Sequence, residues 1–224
     1  MFLLIPEFLA DQELQALRAM TERVQFTDGS ATTGGMPDEH KHNLQYVPQG
    51  EDLRIVTQAI TNGVGRSRVV QDGALIRRMM PPMVSKYTQG MEYKSHLDTP
   101  FMQHNGPLRA DLSMTLFLSD PETYDGGALV LETEFGDHEV KLPAGGAVVY
   151  STRLYHHVAP VTRGERIAVV TWMQSHIGDP AKRKVIGELW QAYDDMVGAK
   201  GETSDEAKRL MHAVIELTRM WAES

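Results

Sequence analysis

Between residues 74 and 176 the chain is a series of short β-type runs, and each run ends at a turn signal. The runs alternate apolar and polar residues or carry clusters of β-branched residues, and they cover 74–80, 84–87, 111–118, 127–132, 138–142, 147–150 and 166–173. Asp-Gly-Gly at 125–127 and Pro-Ala-Gly-Gly at 143–146 are typical turn sequences between such runs. Many short strands at this spacing predict two packed sheets or a barrel, such as a jelly roll.

Helical periodicity flanks this β region on both sides. Apolar residues return every three or four positions after Asp11, and a second helix is expected over 51–62. Residues 28–50 lack periodicity and predict a loop or irregular strands. Asp179 followed by Pro180 begins a C-terminal helix, and the capping-box pattern at Thr203 begins another.

These patterns predict a mainly β fold with flanking helices (α+β), built on a double-stranded β-helix, or jelly roll. We expect residues 1–73 to form an N-terminal helical and irregular support. Residues 74–177 form the jelly-roll domain, and residues 178–224 form a C-terminal helical hairpin. The apolar face of that hairpin must be buried, either on the outside of the barrel or in a homo-oligomer.

Composition narrows the chemistry. The chain has 224 residues and no cysteine, so a metal site must use His, Asp or Glu. Its net charge of -8 disfavours a nucleic-acid partner. The N-terminal apolar run is short and has no basic segment before it, and no later run approaches bilayer length, so we expect a cytoplasmic protein without membrane contact.

Two histidines and one aspartate are the candidate metal ligands. His96 and Asp98 lie two positions apart, so on a strand their side chains share a face. Such a pair arises about once by chance in a chain of this composition, and it carries little weight alone. His156 lies in a second β segment, ten positions before Arg166, and adds a third ligand with a cation near it.

The order of these elements resembles the prolyl-4-hydroxylase-like iron(II)/2-oxoglutarate-dependent dioxygenases, most closely the bacterial PKHD-type hydroxylases. Residues 87–98 contain Tyr-x2-Gly-x2-Tyr-x2-His-x-Asp, which is similar to the family's approach to its first two iron ligands. The spacing from His156 to Pro160 and to Arg166 also matches the family. Motif-level resemblance covers residues 75–176.

The resemblance implies a dioxygenase that hydroxylates a substrate while 2-oxoglutarate and O2 are converted to succinate and CO2. In this scheme Fe(2+) is held by His96, Asp98 and His156, and Arg166 pairs with the far carboxylate of 2-oxoglutarate. Tyr87 is a candidate hydrogen-bond donor to that co-substrate. The resemblance alone implies ascorbate (vitamin C) as the reductant.

The sequence also gives expectations for several residues near the candidate metal ligands. His157 should point away from the metal, because adjacent residues of an extended segment face opposite ways. Phe117 departs from relatives that carry a tyrosine on this strand. Trp172 is interpreted either as a wall of the site or as plain core packing. The loop at 99–109 is expected at the substrate entrance.

Other functions stay open. A cupin-like metalloenzyme could use the same ligands without 2-oxoglutarate, and a non-catalytic iron-dependent sensor or binding module could bind the metal without turnover. The substrate is a small molecule or a peptide: a peptide side chain, a free amino acid and a siderophore-like molecule all fit. The C-terminal helices are a candidate homo-oligomer surface.

Overall fold

A computed structural model describes residues 2–29 and 40–223 of the chain. For the segment 28–50, which was expected to be irregular, the structure describes residues 28–29 and 40–50. Residues 30–39 lie outside the described part. In the described part, no helix is long and apolar enough to cross a membrane.

The predicted helices and the predicted run of strands follow one another in the expected order, whereas the helix over Arg68–Ala74 and the strand over Phe2–Ile5 were not predicted. The helices of the described residues are α1 (Asp11–Arg23), α2 (Gly50–Arg66), α3 (Arg68–Ala74), α4 (Pro180–Lys200) and α5 (Asp205–Trp221). The strands of the same ranges are β1 (Phe2–Ile5), β2 (Thr27–Asp28), β3 (Lys41–His42), β4 (Leu44–Tyr46), β5 (Ile76–Met79), β6 (Met83–Tyr87), β7 (Glu92–His96), β8 (Phe101–Gln103), β9 (Pro107–Arg109), β10 (Leu112–Phe117), β11 (Asp125–Gly126), β12 (Leu129–Thr133), β13 (Gly136–Val140), β14 (Ala147–Ser151), β15 (His156–Val158), β16 (Val161–Arg163) and β17 (Arg166–Ser175).

Two antiparallel sheets form the body of the fold. The major sheet has the strand order β1-β14-β10-β17-β6-β4-β2, with β5 also paired to β17, and the minor sheet has the order β13-β12-β15-β7-β3. Two small two-stranded sheets, the β8–β9 hairpin and the pair β11–β16, complete the described strands. This arrangement confirms the predicted mainly β jelly roll with flanking helices.

Strand β10 shows how the major sheet separates its two faces. Met114 and Leu116 pack into the apolar core on the outer face, whereas Ser113 and Thr115 line a cavity on the inner face. Both sets are buried, since every residue from 112 to 117 is inaccessible to solvent. The alternation along this strand therefore separates an apolar core from a polar cavity, and solvent covers neither face.

The N-terminal helices form the support for the outer face. Leu17 of α1 and Ile60 of α2 are fully buried in one cluster with Met114 and Val169 of the sheet. Burying four such side chains contributes several kcal/mol, because each is worth about 1.5–3 kcal/mol. This core lies on the opposite side of the sheet from the cavity, so the fold does not need the cavity to be filled with apolar side chains.

The C-terminal helices pack against each other and against α3. Ile177, Ile186 and Val214 are fully buried in this cluster, with Trp221 packed against them. The Asp179 side chain caps α4 as predicted. The cap of α5 is Ser204, whose hydroxyl accepts from the amide of residue 207, so the predicted cap at Thr203 is one residue early.

Glu13 joins α1 to α2 through a hydrogen-bonded ion pair. Its carboxylate accepts from Arg66, from the Asn62 amide at 2.8 Å and from the Ala10 amide at 2.9 Å. The hydrogen bond from Arg66 is the largest cause that lowers the pKa of Glu13, to about 2, against the opposing effect of burial.

We expect the substitution Glu13→Gln to destabilise the fold at pH 7, because it removes the negative charge that pairs with Arg66. The loss should be only about 1–2 kcal/mol, since the Arg66 side chain is 46% exposed and solvent screens the pair. A lowered folded-state pKa gives stability above about pH 4.5 that is lost as the pH falls toward 2. Urea titrations of both proteins across this range measure the difference. The exposed Glu22→Gln is the control, and a deficit that persists unchanged at pH 2 would contradict the assignment.

We expect a chain that ends at residue 178 to aggregate, because removing α4 and α5 exposes Ile177 and Leu75, which pack against those helices. Size-exclusion chromatography with light scattering measures the assembly state. A monodisperse truncated protein with the melting temperature of the full chain would show that the hairpin is dispensable.

Candidate metal centre and adjoining cavity

Strands β7 and β15 bring two of the predicted ligands face to face. The strands pair in antiparallel register with His96 directly opposite His156, and the pairing shifts at a bulge between His156 and Val158. The imidazole centroids are 4.3 Å apart. Both side chains are buried, with 6% of His96 and 5% of His156 exposed.

Asp98 completes a cluster of three. It follows His96 by two residues, just beyond the end of β7, and its Oδ1 lies 3.8 Å from Nε2 of His156. One candidate ligand atom from each of the three residues lies within 4.8 Å of the others. The structure therefore brings His156 together with His96 and Asp98, which lie far from it in the sequence.

Backbone carbonyl groups fix the orientation of both imidazoles. Nδ1 of His96 lies 2.8 Å from the carbonyl oxygen of Lys94, and Nδ1 of His156 lies 3.0 Å from that of Leu154. A carbonyl oxygen only accepts, so each Nδ1 carries the hydrogen and donates it. Each Nε2 then keeps a free lone pair, which is the form of histidine that binds a metal. No sequence signal identified these partners.

Aromatic rings hold the histidines from the sides. The Tyr93 ring stacks on His96 with centroids 3.6 Å apart and an interplanar angle of 17°. The Tyr150 ring meets His156 edge to face at 5.1 Å. These contacts restrict rotation of both imidazoles, so the site is preformed in the folded chain.

Burial controls the protonation of the cluster. Desolvation, followed by the neighbouring His156, lowers the pKa of His96 to about 3, so its imidazole is neutral at pH 7. Desolvation also raises the pKa of Asp98, and the nearby His156 is the largest influence in the opposite direction. A buried carboxylate is costly, and a divalent cation compensates it directly.

The donor set fits a borderline or hard divalent metal. Two neutral imidazole nitrogens and one carboxylate suit iron(II), and cysteine ligands are absent from the sequence. The Oδ2 atom of Asp98 is buried and accepts no hydrogen bond from the described residues. The other oxygen, Oδ1, faces the free imidazole lone pair of His156, and this arrangement fits a metal site.

A cavity of about 400 Å³ lies between the sheets and reaches the three residues. It opens beside Val47 and Leu97, which line it and are still exposed. The β8–β9 hairpin forms part of the entrance, as predicted for 99–109, with Met102 and His104 among the lining residues. Arg78 holds this hairpin by donating to carbonyl groups that include that of His104, at 2.7 Å.

Arg166 lies on the cavity wall without a counter-ion. It begins β17 opposite Tyr87 of β6, and only 2% of the residue is exposed. Its guanidinium carbon lies 5.4 Å from the ring centroids of both Tyr87 and Phe117. Among the described residues it forms no side-chain hydrogen bond or ion pair, and its Nε is buried without a partner.

The two rings beside Arg166 differ in what they offer. Tyr87 lines the cavity, and burial raises the pKa of its hydroxyl to about 12, so it is a neutral donor at pH 7. Phe117 has no hydroxyl to contribute. A third ring, Tyr124, is buried near Arg166, and its hydroxyl has no hydrogen-bond partner among the described residues.

His157 lies outside the cluster, as the alternation of an extended segment predicts. Its Nδ1 lies 3.0 Å from Oε1 of Glu132, on the opposite side of β15 from His156. His42 of β3 is exposed and lies outside the cluster.

The sequence analysis did not identify one wall of the cavity. Lys41, Asn43 and Gln45 are buried and line the cavity from β3, β4 and the residue between them. Burial lowers the pKa of Lys41 to about 8. A polar residue at every second position is the signal that could have found them, since such residues share one face of an extended chain.

Comparison with known sequences reveals full-length relatives. Residues 82–174 match the family model of the 2OG-Fe(II) oxygenase superfamily. The chain is 37% identical over 228 residues to a PKHD-type hydroxylase of Methylobacillus flagellatus, covering 100% of both chains.

Solved structures share the fold. A prolyl-4-hydroxylase of Pseudomonas putida superposes with a TM-score of 0.57 at 22% identity, covering 77% of this chain and 92% of that one. A prolyl hydroxylase of Trichoplax adhaerens, in complex with a hypoxia inducible factor peptide fragment, superposes with a TM-score of 0.59 at 17% identity, covering 82% and 86%.

We expect His96→Ala, Asp98→Ala and His156→Ala each to abolish high-occupancy iron(II) binding with the fold retained, because each removes one of three clustered ligand atoms. His157→Ala is the matched control, and it should bind metal as the wild type does. Metal content and circular dichroism decide between them. Loss of metal from the His157 variant but not from the His156 variant would reverse the assignment.

Proposed function

The chain belongs to the PKHD-type hydroxylases of the 2OG-Fe(II) oxygenase superfamily, and we propose that His96, Asp98 and His156 hold its iron(II) while Arg166 binds 2-oxoglutarate. It is a 2-oxoglutarate-dependent dioxygenase, an oxidoreductase that hydroxylates its substrate. Family membership gives the reaction class, and the geometry of the cavity supports the residue roles.

One observation carries the proposal for Arg166. A buried guanidinium with no anionic partner among the described residues is costly, so a ligand that brings an anion gains affinity there. 2-Oxoglutarate has a carboxylate at each end. One end can reach a metal held by the cluster while the other meets the guanidinium in a two-pronged contact.

Iron(II) and 2-oxoglutarate, when bound, supply the oxidising chemistry, in which O2 is consumed, succinate and CO2 are released and a substrate carbon is hydroxylated. The side chains of this protein position the bound groups. His96 and His156 present fixed lone pairs, Tyr87 offers a hydroxyl beside Arg166, and the rings of Tyr93 and Tyr150 restrict the imidazoles. Apolar side chains that share the cavity lining with the polar ones limit water around the bound groups.

The substrate we propose is a small molecule or a peptide side chain, which includes an amino acid or a siderophore-like compound. The cavity lining includes the uncharged residues Pro81, Pro82 and Met102. A net charge of -8 supports the absence of a nucleic-acid partner. Ascorbate as reductant, a cytoplasmic location without membrane contact, and self-association through α4 and α5 complete the proposal. Exposed Met220 on α5 supports the last of these.

Arg166 also separates this function from its two rivals. A cupin-like enzyme without 2-oxoglutarate, or an iron-dependent sensor, has no need of an unpaired buried cation beside the metal ligands. Either rival would tolerate a neutral residue at this position, and most proteins would gain stability from it.

We expect Arg166→Ala to weaken 2-oxoglutarate binding roughly ten- to hundredfold with metal binding retained, because a charge-assisted contact is worth about 1.5–3 kcal/mol. Arg166→Lys should restore little, since it keeps the charge but loses the planar fork. The measurement is titration of the anaerobic iron(II) protein with 2-oxoglutarate, following the metal-to-ligand charge-transfer band.

Two results would contradict this assignment in different ways. A wild-type protein that loads iron(II) but shows no band at millimolar 2-oxoglutarate would exclude the proposed co-substrate site. A band whose midpoint is the same in all three proteins would keep the co-substrate and exclude Arg166 as its partner.

A further inference from the structure

The two oxygens of Asp98 have different surroundings. Oδ1 faces Nε2 of His156 at 3.8 Å, toward the centre of the cluster. Oδ2 is fully buried and accepts no hydrogen bond from the described residues, although only 7% of the side chain is exposed. A buried carboxylate oxygen needs a donor or a cation, so Oδ2 lacks a partner that its environment requires.

In the part of the chain that the structure describes, the indole N–H of Trp172 lacks an acceptor, whereas Oδ2 of Asp98 lacks a donor. Its Nε1 is buried and donates to no acceptor among the described residues. An indole N–H is a donor only, and in buried tryptophans it normally finds an acceptor. Because Trp172 lines the same cavity as Asp98, each of these two groups can satisfy the other.

Sheet register places a second donor beside the indole. Trp172 of β17 is directly opposite Ser113 of β10, and both side chains line the cavity from the major sheet. Asp98 lines the same cavity, and neither of these side chains forms a hydrogen bond with it in the described part of the chain. Two donors of the major sheet therefore face one carboxylate that comes from the minor sheet.

A carboxylate can bind a metal through one oxygen or through two. With two imidazoles already bound, a second oxygen from Asp98 would occupy a position that a two-pronged 2-oxo acid needs. A donor on Oδ2 prevents this, because an oxygen that accepts hydrogen bonds from a fixed N–H and O–H is turned away from the metal.

We propose that the Trp172 indole N–H and the Ser113 hydroxyl hold Oδ2 of Asp98, so that this carboxylate binds the metal through Oδ1 alone. Trp172 and Ser113 are positioning residues that act through Asp98. The inference rests on the proposed function, in which Asp98 is a metal ligand. This role favours the interpretation of Trp172 as a wall of the site, because a residue that serves only for core packing would not need the indole N–H.

The test uses Mn2+ as the probe in the full-length protein. Trp172→Phe keeps an aromatic ring and removes the N–H, and Trp190→Phe makes the same change in α4, outside the cavity. Ser113→Ala removes the second donor, whereas Ser113→Thr keeps the hydroxyl. Water-proton relaxation gives the Mn2+ affinity and the number of metal-bound waters, and circular dichroism checks the fold.

We expect Trp172→Phe to lose one metal-bound water as Oδ2 takes its place, and to bind Mn2+ about tenfold more weakly because Asp98 is no longer held in position. 2-Oxoglutarate binding to the iron(II) form should weaken about tenfold as well. Ser113→Ala should change in the same direction, and Ser113→Thr and Trp190→Phe should match the wild type.

The outcomes separate this inference from the proposed function. If the Trp172 and Ser113 variants keep the water number of the wild type, the inference is wrong even where affinity falls, and the metal site stands. If Trp172→Phe does not fold, the Ser113 pair decides by the same criterion. A wild-type protein that binds no Mn2+ would overturn both.

Discussion

The antiparallel pairing of β7 with β15 is the interaction on which the functional part of this molecule depends. It sets His96 against His156, and Asp98 follows within two residues. Because side chains alternate along a strand, a slip of one residue in this register would turn one histidine out of the cluster. The bulge at this pairing fits that demand, since bulges are frequent where a side chain must be aimed at a site.

A cavity that contains charged groups has to be stabilised from elsewhere. Asp98 and Arg166 line the space between the sheets, and their burial opposes folding unless ligands compensate them. The apolar core lies on the other face of the major sheet, beneath α1, α2 and α3. The N-terminal helices therefore supply stability that lets the inner face remain polar.

The sequence predicted the cluster better than it predicted the cavity. The fold class, the main helices and the residues that meet at the centre follow from local periodicity and from spacing within single segments. The wall of Lys41, Asn43 and Gln45 does not, because nothing local shows that this short segment pairs with β6 and β7. Ser113 and Thr115 alternate with apolar residues, a pattern that suits a solvated face and a polar cavity equally well.

The two sheets contribute different groups to the site. The minor sheet carries the two histidines, with Asp98 just beyond the end of β7, and the major sheet carries Arg166 and the proposed donors to Asp98. A carboxylate that reaches from one sheet to donors on the other makes the spacing of the sheets part of the metal geometry. Substitutions on the outer face of β10 or β17 can therefore change metal binding without contacting a ligand, because they shift the strand that holds the donors. The helical support and the site are coupled through this one sheet.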